Sequence, residues 1–180
     1  MTSKTIEEIN LRPIRKSDWE EVHDYASQSV VCQFQPWGPN TIEESQAFVE
    51  QILKEAEDQP RTRYAWAVTH HKDPKLIGVG ELRIQNQVNK VGEISYIIHP
   101  AYWGRGLATK TAKLLLAYGF QQHQLHRIYA TCDPKNIGSS KVLQKIGMIK
   151  EGQMRENLWI KGRWRDSLLY SILEQEWQKQ

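Results

Sequence analysis

Two glycines one residue apart, Gly104 and Gly106, lie in the string His99-Pro100-Ala101-Tyr102-Trp103-Gly104-Arg105-Gly106-Leu107-Ala108-Thr109, between an apolar run and a long amphipathic one. Without β-carbons the backbone can turn sharply, aim several N–H groups at one point and leave a ligand's approach open. The helix expected to follow adds its own unpaired N–H groups and the positive end of its dipole. The chemistry of such a place is anion binding, and a pyrophosphate is the natural guest. Two familiar loops fail on spacing. A Walker A loop needs glycine directly before Lys-Ser/Thr, but Thr109 precedes Lys110-Thr111. A dinucleotide fingerprint needs Gly or Ala where Thr109 stands, within an early strand–helix–strand unit.

A third pattern, Gln/Arg-x-x-Gly-x-Gly/Ala, fits from Trp103 to Ala108 except at its first position, where Trp103 stands. This is the acyl-CoA loop of the GNAT N-acetyltransferases. Further on, Asn136-Ile137-Gly138-Ser139-Ser140 and the closing Gly147-Met148 resemble that family's second motif. Gly92-Glu93-Ile94-Ser95-Tyr96-Ile97-Ile98 resembles the strand that runs into the loop. Glu151-Gly152, Arg155-Glu156 and Gly162-Arg163-Trp164-Arg165-Asp166-Ser167 resemble the RimJ/RimL-type branch, as does the opening Leu11-Arg12-Pro13-Ile14-Arg15. The resemblance covers nearly the whole chain. It implies a GNAT fold: a mixed α/β domain with a mostly antiparallel, bent sheet of about seven strands and helices on both faces. It also implies acetyl-CoA as cosubstrate and a primary amine as acceptor, first a protein N-terminal α-amine of the ribosomal-protein type, with a small amine (polyamine, aminoglycoside or amino-acid analogue) as the alternative. A non-catalytic acyl-CoA-binding module is the alternative from another class.

Amine attack on a thioester needs a neutral amine, a polarised carbonyl and a stabilised leaving thiolate. By the resemblance, the backbone N–H groups from Trp103 through Gly104, Arg105, Gly106, Leu107 and Ala108 to Thr109 hold the CoA pyrophosphate. Arg105 either meets a phosphate or is a solvated loop arginine. A backbone N–H near Ile97 or Ile98 polarises the acetyl carbonyl. Asn136 caps its helix, binds the pantetheine arm, or does both. Strand alternation puts Glu93, Ser95 and Ile97 on one face and Ile94, Tyr96 and Ile98 on the other. Glu93 is the leading general base, directly or through water, unless it only pairs with a basic side chain. Where many family members carry a tyrosine for the leaving thiolate, this chain has Leu143. Ser139 is then the available donor, unless it serves only the first helical turn. His99 reads as structural, and the pair His70-His71 as exposed. Cys132 as an acetyl carrier is superfluous, because direct transfer needs no nucleophile.

The elements that must position these groups follow from periodicity. Strands are predicted over residues 10–15, 64–69, 76–85, 93–99, 127–132, 150–160 and 164–173, with a turn at Lys72-Asp73-Pro74. Ser17 with Glu20, and Thr41 with Glu44, read as capping boxes. The first opens a helix to about Val30. The second opens one whose apolar face holds Ile42, Phe48, Ile52 and Leu53. A long central helix is expected over residues 107–122, and one from Asn136 to a left-handed Gly147. The loops over residues 34–40 and 157–163 fall to the acceptor, with Trp37 between two prolines placed at the substrate mouth. Trp19, Trp66 and Trp164 lie in core-type segments.

With 180 residues, 39% hydrophobic and 25% charged, the chain is ordinary for one globular domain. A net charge of +3 without long basic blocks gives no reason to expect nucleic-acid binding. Cys32 and Cys132 read as reduced thiols, and no His/Cys/Asp/Glu group has metal-site spacing. The polar residues 1–10 are no signal peptide, and no apolar run reaches the roughly 18 residues of a membrane span. A cytoplasmic enzyme is the expectation.

Overall fold

The computed structural model describes residues 8–70 and 73–179. The seven strands are β1 (Ile9–Pro13), β2 (Arg63–His70), β3 (Asp73–Asn86), β4 (Val91–Ile98), β5 (Arg127–Cys132), β6 (Ile149–Ile160) and β7 (Arg163–Leu173). They form one sheet in the order β1-β2-β3-β4-β5-β7-β6. Every neighbouring pair is antiparallel except β4 with β5. The helices are α1 (Trp19–Ala26), α2 (Ser29–Cys32), α3 (Ile42–Glu55), α4 (Leu107–His123), α5 (Ile137–Lys145) and α6 (Glu174–Trp177).

Alternation along β3 assigns the two layers. A β-carbon on Gly80 would lie 2.9 Å from Thr111 of α4, whereas Val79 and Glu81 face α1. The α4 face holds the larger core, in which Leu82, Ile94, Leu115, Ile128, Leu143 and Tyr170 are fully buried. The opposite face packs Val22, Tyr25, Val49 and Ile52 of α1 and α3 on Ala65, Ala67 and Val79.

The one parallel seam decides where a ligand can enter. Pairing of β4 with β5 runs only from Val91↔Arg127 to Glu93↔Tyr129. Beyond that point β4 continues to Ile98 and β5 to Cys132 without meeting, while β5 keeps its other partner, β7, as far as Cys132↔Leu168. The sheet is therefore split from residue 94 onward.

Several local expectations are corrected. No Ser17–Glu20 box forms: the Asp18 carboxylate takes the Arg15 N–H at 2.7 Å and the Arg12 guanidinium at 2.8 Å. A 3-10 turn over Lys16–Asp18 then leads into α1. The helix expected to reach Val30 stops at Ala26, because Gln28 is extended, and α2 follows as a separate turn. The Thr41–Glu44 box is present in both directions. Ile42, its first helical residue, stands 46% exposed, off the core face. Asp73 and Pro74 belong to β3, while His71 and Lys72 lie outside the described residues, as do residues 1–7. Trp164 is exposed, because residues 158–165 form a two-stranded arm beyond the last β5 partner; its ring meets Trp159 at 5.2 Å. Gly147 is left-handed, at φ +84°. Cys32 and Cys132 are free and buried.

Candidate active site

The loop after β4 takes the form its glycines imply. Gly104 (φ +76°) and Gly106 (φ +79°) are both left-handed, and a β-carbon on either would meet no protein atom within 4 Å. Gly106 is the N-cap of α4 and contributes no capping side chain. The Leu107 side chain is buried with Val68, Ile77 and Ile98, which fixes the helix start against the sheet. Its first N–H groups thus face an open cradle suited to an anion. Trp103 braces the loop: its indole N–H donates to the Ile98 carbonyl at 2.6 Å. Arg105 donates to the Ala101 carbonyl at 3.0 Å and lies over the Tyr102 ring at 5.3 Å. His99 takes the Ala101 N–H on Nδ1 and reaches Asp24 of α1 with Nε2 at 3.2 Å, a structural tie between the loop and α1.

Strand parity then separates Ile97 from Ile98. The His99 N–H donates to Ile77 of the β3 side at 2.8 Å. In an antiparallel pair the N–H and C=O of one residue point the same way and alternate along the strand. The Ile97 N–H therefore turns to β3, and the Ile98 N–H turns to the split. Of the two amides considered from sequence, Ile98 is the one free to reach a ligand in the seam.

On the other side of the split, Asn136 caps α5, accepting the Ser139 N–H at 3.0 Å. Its side-chain NH2 stays available for a second partner. The Ser139 hydroxyl lies 3.5 Å from that of Tyr96, and Cys132 is its other neighbour. Burial pushes the Tyr96 phenol and the Cys132 thiol up.

A cavity of about 640 Å³ opens beside the end of β4. Ser95, Tyr96 and Ile97 form its floor, Tyr25 and Phe48 its helical wall, and Trp37 one side. The two loops expected to serve the acceptor do meet here. Lys161, from the β6–β7 arm, lines the cavity and donates to the Cys32 carbonyl at 2.7 Å. Arg165 donates to the Phe34 carbonyl, also at 2.7 Å. Two carboxylates line it. Glu81 is clamped by Arg63 at 2.8 and 2.9 Å, and Glu44 is engaged in capping α3.

Glu93 does not line this cavity. It shares a face with Ser95, two residues away, and accepts from Gln85 at 2.7 Å and from Tyr129 at 3.3 Å. Burial raises its pKa, against the lowering effect of those two donors. The Tyr129 phenol is pushed up to about 12, by burial and by the Glu93 charge. Neither Tyr96 nor Lys161 is singled out by the sequence, where Tyr96 marks only a strand face and Lys161 falls unremarked within the loop over residues 157–163. The signal for Tyr96 was its place on the strand that ends at the loop. Lys161 is remote in sequence from everything it touches.

A split parallel seam thus lies between a glycine cradle at one helix start and a capped helix start at the other, an arrangement whose shape and N–H groups suit an acyl-CoA. The Acetyltransferase (GNAT) domain profile matches residues 8–149, and the chain belongs to this family. The uncharacterized N-acetyltransferase YnaD of Bacillus subtilis is 33% identical over 174 residues, covering 96% of this chain and 98% of that one. The spermidine N(1)-acetyltransferase of Escherichia coli K12 is 28% identical, covering 94% and 88%. Among solved structures, RimJ of Mycobacterium smegmatis in complex with CoA-disulfide is similar. Its TM-score is 0.83 and its identity 25%, and 93% of this chain and 83% of that one are covered. The protein is a GNAT N-acetyltransferase with acetyl-CoA as cosubstrate. Among the described residues no helix is long and apolar enough to cross a membrane.

Proposed function

We propose that the chain acetylates a primary amine seated in the 640 Å³ cavity, and that this amine is the N-terminal α-amine of a polypeptide. The carrying observation is the meeting of cavity and split sheet at one strand end: Ser95, Tyr96 and Ile97 floor the cavity, and the Ile98 N–H faces the split. An acetyl group delivered along the seam then meets an amine delivered through the cavity. The N–H groups from Gly104 to Thr109 hold the pyrophosphate, Asn136 the pantetheine arm, and the Ile98 N–H the acetyl carbonyl. Glu93, about two strand residues (roughly 6.6 Å) from Ser95 on the same face, takes the amine proton through water.

Two features favour an α-amine. With a pKa of about 7.7–8.0 it is roughly a tenth to a sixth neutral at pH 7, against about four in ten thousand for a lysine amine near 10.4. The lighter demand suits one modest base. Lys161 also places an ammonium in the cavity wall, while Glu81 and Glu44 are already engaged, which disfavours a polycation. A second reading, a small polyamine, draws on those same two carboxylates beside Tyr25 and Trp37, and on the spermidine-acetylating relative. Either reaction belongs in the cytoplasm, where acetyl-CoA is available.

The test compares kcat/KM for three amines: a lysine-free peptide with a free N-terminus, its N-terminally blocked counterpart carrying one lysine, and spermidine. The first is expected to be preferred. Preferential turnover of spermidine with both peptides inert would establish the polyamine reading, and preference for the blocked peptide would refute both.

A further inference from the structure

We infer that Tyr96 is a positioning residue for the leaving thiolate, acting through Ser139. The two hydroxyls lie 3.5 Å apart across the split, one from β4 and one from the first turn of α5. Tyr96 also lines the acceptor cavity and Ser139 does not, so the pair reaches from the cavity's edge across the split to α5. Ser139 is itself held: its N–H is fixed on Asn136, which leaves only its hydroxyl rotor undetermined. A hydroxyl has one proton to give. Its neighbours are the Tyr96 phenol and the Cys132 thiol, and without direction the rotor can turn to either.

The phenol is the more acidic hydroxyl and hence the better donor. When Tyr96 donates to Ser139 Oγ, the Ser139 proton is turned away from Tyr96 to the Cys132 side, where a thiolate in the seam is a stronger acceptor than the neutral Cys132 thiol. Burial keeps the phenol protonated across the working range, so this direction does not lapse with pH.

The proton inventory closes without ionising either hydroxyl. The amine nitrogen bonds to the acetyl carbon and gives one proton, through water, to the Glu93 carboxylate. The carbon–sulfur bond breaks and its electron pair stays on sulfur. Ser139 donates a hydrogen bond to that sulfur and keeps its proton, since an aliphatic hydroxyl is a much weaker acid than a thiol. The thiolate takes a proton from solvent, matching the one Glu93 returns. Because the inference concerns the leaving group, it stands with any amine that turns over and is independent of the acceptor class proposed above.

The experiment is a double-mutant cycle in kcat with acetyl-CoA, monitored by thiol release, with CoA calorimetry to show that each variant is folded. Ser139→Ala is expected to lower kcat about 10²-fold, as for loss of one donor to developing charge. Tyr96→Phe is expected to lower kcat about 3–10-fold, the scale of one neutral hydrogen bond, with the acetyl-CoA KM unchanged. The double variant is expected to be no slower than Ser139→Ala alone, because Tyr96 has nothing left to orient. Should Tyr96→Phe fail to bind CoA, Tyr96→Leu removes the same hydroxyl and must show the same dependence on Ser139. Full kcat in the Tyr96 variant, or losses that multiply in the double variant, would overturn the inference.

Discussion

Replacing Gly106 by alanine isolates the donor site. At φ +79° and ψ 7°, with no protein atom within 4 Å of a built β-carbon, the added methyl clashes with nothing in the free protein. The cost to folding is the left-handed backbone alone, about 1–2 kcal/mol for a residue with a β-carbon. Set against a typical stability of roughly 5–15 kcal/mol, that leaves the variant folded. The ligand fares differently, because the methyl projects into the cradle where an anion must approach the N–H groups opening α4. Losing two charge-assisted hydrogen bonds, at about 1.5–3 kcal/mol each, weakens CoA binding by about 3–6 kcal/mol, or roughly 10²–10⁴-fold. Calorimetry with CoA reads the loss directly, and thermal denaturation confirms the fold. Acetyl-pantetheine, which lacks the pyrophosphate, supplies the control: wild type and variant should use it equally. A folded Gly106→Ala protein that binds CoA as tightly as the wild type would refute the assignment of the cradle.

Glu93→Gln should lower kcat about 10²–10⁴-fold, as expected for a positioned base, with little change in acetyl-CoA affinity by calorimetry. Because burial holds the Glu93 pKa above the ordinary carboxylate range, wild-type kcat/KM should rise with pH through that elevated range, and this limb should vanish in the variant. The stability sign is opposite: a raised carboxylate pKa favours folding below its unfolded value, and that contribution is lost as pH rises through the folded value. The variant should therefore melt no lower than the wild type at neutral pH. Trp37→Ala should raise the acceptor KM while leaving acetyl-CoA affinity unchanged, since Trp37 walls the cavity and is no part of the cradle. Trp103→Phe removes the indole donor to Ile98 and should weaken CoA binding by up to about tenfold, one hydrogen bond's worth, which calorimetry would register.

The backbone geometry proposed for the donor half was legible because it is local. Gly104 and Gly106 turn left-handed and Asn136 caps α5 through the Ser139 N–H, features fixed by residues within one turn of each other. The strands and the long α4 were legible for the same reason, their periodicity being sustained over many residues. The first helix was misread because a carboxylate at Asp18, reaching back to Arg12 and Arg15, replaced the expected Ser17–Glu20 box. Trp164 reads as core by composition and is exposed because it sits on an arm that outruns the sheet, a matter of strand length across non-consecutive partners. The acceptor cavity depends on such long-range meetings: Lys161 with Cys32, and Arg165 with Phe34. No spacing in the sequence encodes them. The choice of Ile98 over Ile97 needed the register of β3 against β4, which pattern alone leaves free by one residue.

In the reaction proposed here, acetyl donor and polypeptide α-amine meet at the end of β4. The affinity of a bisubstrate analogue, CoA joined through an acetyl linker to a peptide's N-terminal nitrogen, tests it most directly. Such a molecule spans both half-sites and gains from joining them, so it should bind at least about 10²-fold tighter than CoA alone. It should also outbind the analogues joined to a lysine side-chain nitrogen or to spermidine. A peptide-linked analogue that binds no tighter than CoA, beside a spermidine-linked one that does, would contradict the claim.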